Sequence, residues 1–116
     1  MTAQECLFCR IVAGEIPADI IYEDDACLAF RDIHPQAPTH VLIIPRQHIA
    51  SLNEASQANE STLGRLLLAA ASIAKSEGLS ESGYRTVINT GAGAGQSVFH
   101  LHLHILGGRT LNWPPG

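Results

Sequence analysis

The sequence predicts an α+β domain with a mainly antiparallel sheet. Three observations carry that prediction. Short apolar or β-branched runs at residues 20–23, 27–30, 40–45, 84–89 and 100–106 are bounded by turn residues. A single stretch, residues 61–77, shifts to helical periodicity. The first two runs are separated only by a turn containing Asp24 and Asp25, which leaves room for a hairpin and nothing longer.

Taken in order, residues 6–14 can form a turn or two of helix that stops at Gly14. Pro17 then forces Ile16 into an extended or turn conformation. The hairpin follows, then a loop with Pro35 and Pro38, then the run from His40 to the strand-ending Pro45. In the helical stretch Leu63, Leu66, Leu67, Ala70, Ile73 and Ala74 share one face. Asn59 or Ser61 can cap its start and Gly78 its end. The run 84–89 leads into the glycine-rich loop 91–95, and Gly107-Gly108 breaks the last strand.

The chain has 116 residues, which fits a single domain over 1–116. With 46% hydrophobic and 16% charged residues it can bury a core and is not a disordered chain. Seven Lys and Arg against eleven Asp and Glu leave a net charge of −4, so there is no overall basic footprint for nucleic acid. No apolar run approaches the ~18 residues of a membrane helix. The opening MTAQECLFCR lacks a basic-then-apolar leader pattern, so the expected location is the cytoplasm.

The histidines hold the chemical signal. In His100-Leu-His-Leu-His104-Ile the polar and apolar positions alternate. On a strand all three imidazoles would leave one face and the aliphatic side chains the other. Three readings compete. A solvated polar face would more usually carry Thr, Lys, Glu or Ser. A metal held by the triplet alone is awkward, because the outer two residues would be about 13 Å apart on a strand rising about 3.4 Å per residue. Phosphate chemistry suits the row better. An imidazole is a competent nucleophile near neutral pH, and its neighbours can stabilise charge on phosphoryl oxygens. The preceding loop, Gly91-Ala-Gly-Ala-Gly95-Gln96-Ser97, offers backbone N–H groups, an amide and a hydroxyl, as a phosphate nest would. Taken alone such a loop is more often just a hairpin connection.

Cys6-Leu-Phe-Cys9 has the spacing of two thiolates on one tetrahedral zinc. The alternative is a pair of reduced, buried cysteines. Three cysteines without a leader argue against a disulfide framework, and Cys27 reads as a small core residue. His48 and His100 are available as further ligands, but spacing does not select them.

The run from His100 to Leu106 matches the His-φ-His-φ-His-φ-φ pattern and resembles the histidine triad superfamily. Further segments are similar to its nucleotide-binding (HINT) branch: GEIP at 14–17, YEDD at 22–25, FRDI at 30–33, PQAPTH at 35–40, GQSVFH at 95–100, LGGR at 106–109 and WPPG at 113–116. The resemblance implies a homodimer whose two sheets join across the interface. It also implies hydrolysis of purine nucleoside phosphoramidates, AMP joined to an amine. His102 would attack the α-phosphorus to form a nucleotidyl-histidine, which water then releases. His40 and His104 would line the phosphate site. Ser97 and Gln96 would contact the phosphate and leaving group, and Asn89 the phosphate and ribose. Asp32 would bind the ribose hydroxyls, while Leu7, Phe8, Ile11, Phe30 and Ile33 form the base pocket. Trp113 would reach the partner's site. Zinc-carrying members imply Cys6, Cys9, His48 and His100 as one closed, structural set.

Each role has a plainer counterpart. The apolar residues could be core, Asp32 a turn residue, and His40 a satisfied core histidine. His34 is given no role. The expected mechanism needs no metal for catalysis. The rivals are a dinucleoside polyphosphate hydrolase or nucleotidyl transferase of the same superfamily, a nucleotide-binding scaffold with little catalysis, and a zinc-stabilised interaction domain.

Overall fold

The computed structural model describes residues 5–116. Its elements are α1 (Leu7–Val12), β1 (Ile20–Glu23), β2 (Cys27–Arg31), β3 (Thr39–Pro45), α2 (Glu60–Ser76), β4 (Tyr84–Val87) and β5 (Leu103–Gly107). The five strands form one antiparallel sheet in the order β1-β2-β3-β5-β4. The α+β class and the hairpin of β1 and β2 are as the sequence predicts.

Strands β2 and β3 are buried on both faces, which explains their nearly unbroken apolar character. Cys27, Ala29, Val41, Ile43, Leu103 and Ile105 face α2, where Leu66, Ala69, Ala70, Ile73 and Ala74 meet them. Leu28, Phe30, Leu42 and Ile44 face the other way and are covered by Phe8 and Ile11 of α1. The alanines on α2 let the helix approach the sheet closely. Arg31 grips Glu77 just past the helix end through two bonds of 2.8 and 3.1 Å, tying β2 to α2.

The structure corrects four local expectations. Leu67 is exposed and Ala69 takes its place in the core, because the buried stripe centres on Leu66, Ala70 and Ile73. Asn59 stands at the start of α2 but does not cap it. Its carboxamide oxygen instead accepts from the backbone of Ser56 at 2.9 Å, closing the preceding 3₁₀ turn. Strand β4 ends at Val87 rather than residue 89. The last strand begins at Leu103, so His100 and His102 precede the ladder. The register that pairs Ile43 with Leu103 would next set Pro45 against Leu101. Proline has no N–H to give, and the Leu101 N–H turns to the Ile49 carbonyl at 2.6 Å. Side-chain alternation survives this change: Leu101, Leu103 and Ile105 still point to the α2 core.

Candidate active site

Strand β3, strand β5 and the residue just before β5 bring His40, His104 and His102 together, with Asp32 just past β2 at the start of the loop that leads into β3. The ring centroids of His102 and His104 are 5.0 Å apart, and those of His40 and His104 are 5.2 Å apart. The hydrogen bonds fix which ring nitrogen carries each proton. Gln36 N–H donates to His40 Nδ1 at 3.0 Å, so neutral His40 is protonated at Nε2. That Nε2–H donates to His104 Nδ1 at 2.9 Å and lies 3.4 Å from Asp32 Oδ2. His104 is therefore protonated at Nε2, a buried atom without a hydrogen-bond partner among the described residues. His102 donates through Nδ1 to the carbonyl of His100 at 2.8 Å. In that tautomer of the neutral ring the lone pair is on Nε2.

The electrostatics favour the neutral form of His40 and His104. Burial, followed by the neighbouring His102 and His40, pushes His104 down to about 4. Burial also lowers His40, against an opposing pull from Asp32. The cluster accordingly offers one lone pair, on His102, beside one unspent N–H, on His104.

Both atoms belong to residues at the floor of a cleft of about 370 Å³. Its walls are mostly apolar, with Phe8, Ile11, Phe30 and Leu42 at depth and Leu7 and Ile33 nearer the rim. Phe8 sets its ring perpendicular to His102 at 5.1 Å and edge-on to Phe30 at 5.6 Å. Asp32, Ser97 and His34 also line the cleft. His34, to which the sequence gives no role, is exposed and donates its backbone N–H to Asp32 Oδ1 at 2.8 Å.

Two expected contacts, those of Gln96 and Asn89, lie elsewhere. Gln96 is buried, and its amide is spent on the loop. Oε1 accepts from Gly91 N–H at 2.9 Å, and Nε2 donates to the carbonyls of Ala50 and Val98. It therefore supports the glycine-rich segment instead of facing the cleft. Asn89 lines a second cavity on the other flank of His104. Trp113, which the resemblance assigns to a partner's site, is exposed and lines neither cavity of its own chain.

A second cluster joins Cys6, Cys9, His48 and His100, whose ligand atoms all lie within 4.8 Å of one another. His100 Nδ1 is 3.3 Å from Cys6 Sγ and 3.5 Å from Cys9 Sγ, and His48 Nδ1 is 3.3 Å from Cys9 Sγ. Bonds of about 2.3 Å to sulfur and about 2.0 Å to nitrogen in a tetrahedron give sulfur–nitrogen edges of about 3.5 Å, so the set fits zinc. His100 donates through Nε2 to the Pro45 carbonyl at 2.8 Å, which leaves Nδ1 as the ligating atom. Burial and the adjacent Cys6 raise the Cys9 thiol to about 11, a cost that a bound dication would reverse.

Comparison with known proteins agrees with this geometry. The HIT domain family matches residues 13–111. The purine nucleoside phosphoramidase of Escherichia coli is 52% identical over 109 residues, covering 94% of this chain and 92% of its own. The crystal structure of a HIT family hydrolase from Legionella pneumophila superposes with a TM-score of 0.94 at 56% identity, covering 96% of this chain and 99% of its own. A zinc-bound histidine triad family protein from Mycobacterium smegmatis superposes with a TM-score of 0.82 at 36% identity, covering 93% and 78%. With its triad seated beside an apolar cleft on this sheet, the chain belongs to the HIT domain family.

Proposed function

We propose that the protein hydrolyses the P–N bond of purine nucleoside phosphoramidates, AMP joined to an amine, through a nucleotidyl-histidine. The supporting observation is the pairing of a free Nε2 lone pair on His102 with an unpartnered N–H on His104 beside an apolar cleft. The purine lies between Phe8, Ile11 and Phe30, and Asp32 accepts from the ribose hydroxyls. His102 Nε2 attacks the α-phosphorus. A P–N bond to the ring forms as the P–N bond to the amine breaks, and the amine leaves with a proton from solvent. His104 donates to a phosphoryl oxygen, and the Ser97 hydroxyl is a further donor at the cleft. Water then attacks phosphorus, expels the imidazole and yields the monophosphate. The 52% identity to the E. coli phosphoramidase supports this substrate class.

Cys6, Cys9, His48 and His100 would hold one structural zinc, which would fasten α1 to the start of the triad segment. The donor set and the zinc-bound neighbour support this. The protein would act as a homodimer joined along β4, one of the two edge strands of the sheet. Leu67 and Leu68 of α2 are exposed apolar residues available to the same interface.

The test is mass spectrometry of enzyme quenched during turnover of an adenosine phosphoramidate. One nucleoside monophosphate should be found on His102, and His102→Ala should lose both adduct and turnover while keeping its fold. Undiminished turnover by that variant, or faster cleavage of a diadenosine polyphosphate, would overturn the reading.

A further inference from the structure

His34 has a defined place in the nucleoside cleft, although neither the proposed hydrolysis nor the zinc set uses it. Asp32, Ile33 and His34 line the cleft in succession just past β2. The ring of His34 is exposed and makes no hydrogen bond, ion pair or ring contact among the described residues.

The backbone of His34, in contrast, is held on both sides. Its N–H donates to Asp32 Oδ1 at 2.8 Å, and its carbonyl accepts from Gln36 Nε2 at 3.1 Å. Both of these partners are themselves tied to His40. The Asp32 N–H donates to the His40 carbonyl at 3.0 Å, and the Gln36 N–H donates to His40 Nδ1 at 3.0 Å. Pro35 follows His34 and restricts it to an extended backbone. Only the side-chain torsions of His34 are free to adjust, so binding has little further order to impose on it.

The chemistry of the sugar says what such a ring can do. In the proposed function Asp32 takes the protons of the ribose hydroxyls, and a carboxylate can only accept. A hydroxyl that donates to it keeps its lone pairs, which are costly to leave without a donor once water is displaced. Five residues lining the cleft have side-chain donors: Arg31, His34, Ser97, His102 and His104. Arg31 is spent. It alternates with Phe30 and Asp32 to the α2 side of the sheet, where its terminal nitrogens bond to Glu77 at 2.8 and 3.1 Å and its Nε lies 3.8 Å from Asp19. Ser97, His102 and His104 surround the phosphorus. His34 is the remaining donor, and its ring springs from the residue whose N–H already touches Asp32 Oδ1, so a hydroxyl seated on that carboxylate is within reach. An imidazole carries an N–H whether neutral or charged, so it can donate in either form.

We propose that His34 is a ribose-selecting residue, whose ring donates to a sugar hydroxyl oxygen while Asp32 accepts the proton of that hydroxyl. The proposal rests on the nucleotide reading of the cleft. Asp32 and His34 then read the vicinal diol as acceptor and donor. A deoxyribose leaves the ring without a partner, and the cleft discriminates against it.

The test compares the 5′-phosphoramidates of adenosine and of 2′,3′-dideoxyadenosine, made with the same amine. His34→Ala should lower kcat/KM for the adenosine compound by about fivefold, the scale of one hydrogen bond, and do so through KM. It should leave the dideoxy compound unchanged, so that the preference for ribose shrinks by the same factor. His34→Gln, which keeps a donor, should recover part of the loss. Because the ring is exposed, neither variant should shift the urea midpoint. An equal loss on both compounds, or no loss on either, would overturn the proposal. Calorimetric binding of AMP and of its 2′,3′-dideoxy analogue separates the contact from the reaction. If wild type cleaves neither phosphoramidate, yet His34→Ala weakens AMP alone, the contact stands and the phosphoramidate reading fails. Cleavage by wild type, with AMP bound equally well by His34→Ala, would keep the reaction and sink the contact. Failure of wild type to bind either nucleotide would sink both.

Discussion

His40 and His104 meet through a 2.9 Å Nε2-to-Nδ1 contact, and that contact decides where His104 carries its proton. The order begins at the backbone, since Gln36 N–H occupies His40 Nδ1 and so leaves the proton on His40 Nε2. The result is an N–H on His104 Nε2 that no group among the described residues uses. His40 is therefore a positioning residue that acts through His104.

His40→Ala removes this constraint, and His104 can then protonate at either nitrogen. We expect kcat to fall about a hundredfold, the scale of a misplaced catalytic group, with KM changed much less. His40→Gln, which can still donate a hydrogen bond, should recover part of kcat. Steady-state kinetics on one phosphoramidate measures both. A loss confined to KM would mean that His40 contacts substrate directly.

The same burial predicts how stability responds to acid. His104 is pushed from an ordinary value near 6.5 down to about 4 in the folded state. The unfolded chain thus binds the proton more readily, and the ring's contribution is fully present above pH 6.5. It declines as pH falls through the window from about 6.5 to 4 and levels off below it. His40 shifts in the same direction. Urea midpoints at pH 7.5, 6, 5 and 4.5 should therefore fall more steeply for wild type than for His104→Gln. Parallel curves would refute the assignment of a neutral, buried His104.

The sequence makes some of this legible and conceals the rest for physical reasons. Strands buried on both faces, such as β2 and β3, show as apolar runs bounded by turns. The one-face placement of the triad follows from alternation, because a period of two survives where ladder pairing stops. Where the pairing stops depends on Pro45 meeting Leu101 across the sheet, a long-range relation that local pattern does not contain. The type of Gln96 suggests phosphate contact, yet its direction is set by Gly91, Ala50 and Val98, and Ala50 is distant in sequence. His34 looks like an ordinary loop residue until the turn closed by Asp32 sets it at the cleft.

Zinc binding should be detectable separately from catalysis. We expect metal analysis to find one zinc per chain, with Cys9→Ser and His48→Ala lowering occupancy. Loss of metal also loosens α1, which carries Phe8 against His102, so chelation should lower Tm and raise KM for the nucleotide. Variants that hold zinc as wild type does would exclude the four-residue set. A metal-free protein with unchanged Tm and KM would exclude the coupling to α1.

The Gly107-Gly108 turn provides a test of backbone geometry. Gly108 has φ +91°, and a Cβ there would also come within 2.9 Å of Pro38 Cβ, which has no flexible end to move aside. At Gly107 the obstacle is the tip of Leu79, which can shift at the expense of its packing. Gly108→Ala should therefore be the costlier change, destabilising by about 1–2 kcal/mol from the backbone conformation alone and more from the clash. Gly107→Ala should cost less. Because Pro38 belongs to the loop that carries Gln36, strain at residue 108 also disturbs the hydrogen bond that fixes His40. Urea unfolding and kcat measured on both variants should rank Gly108→Ala as the more damaged in stability and in rate. The opposite order would show that Leu79, and not the residue 36–40 loop, is the rigid wall of this turn.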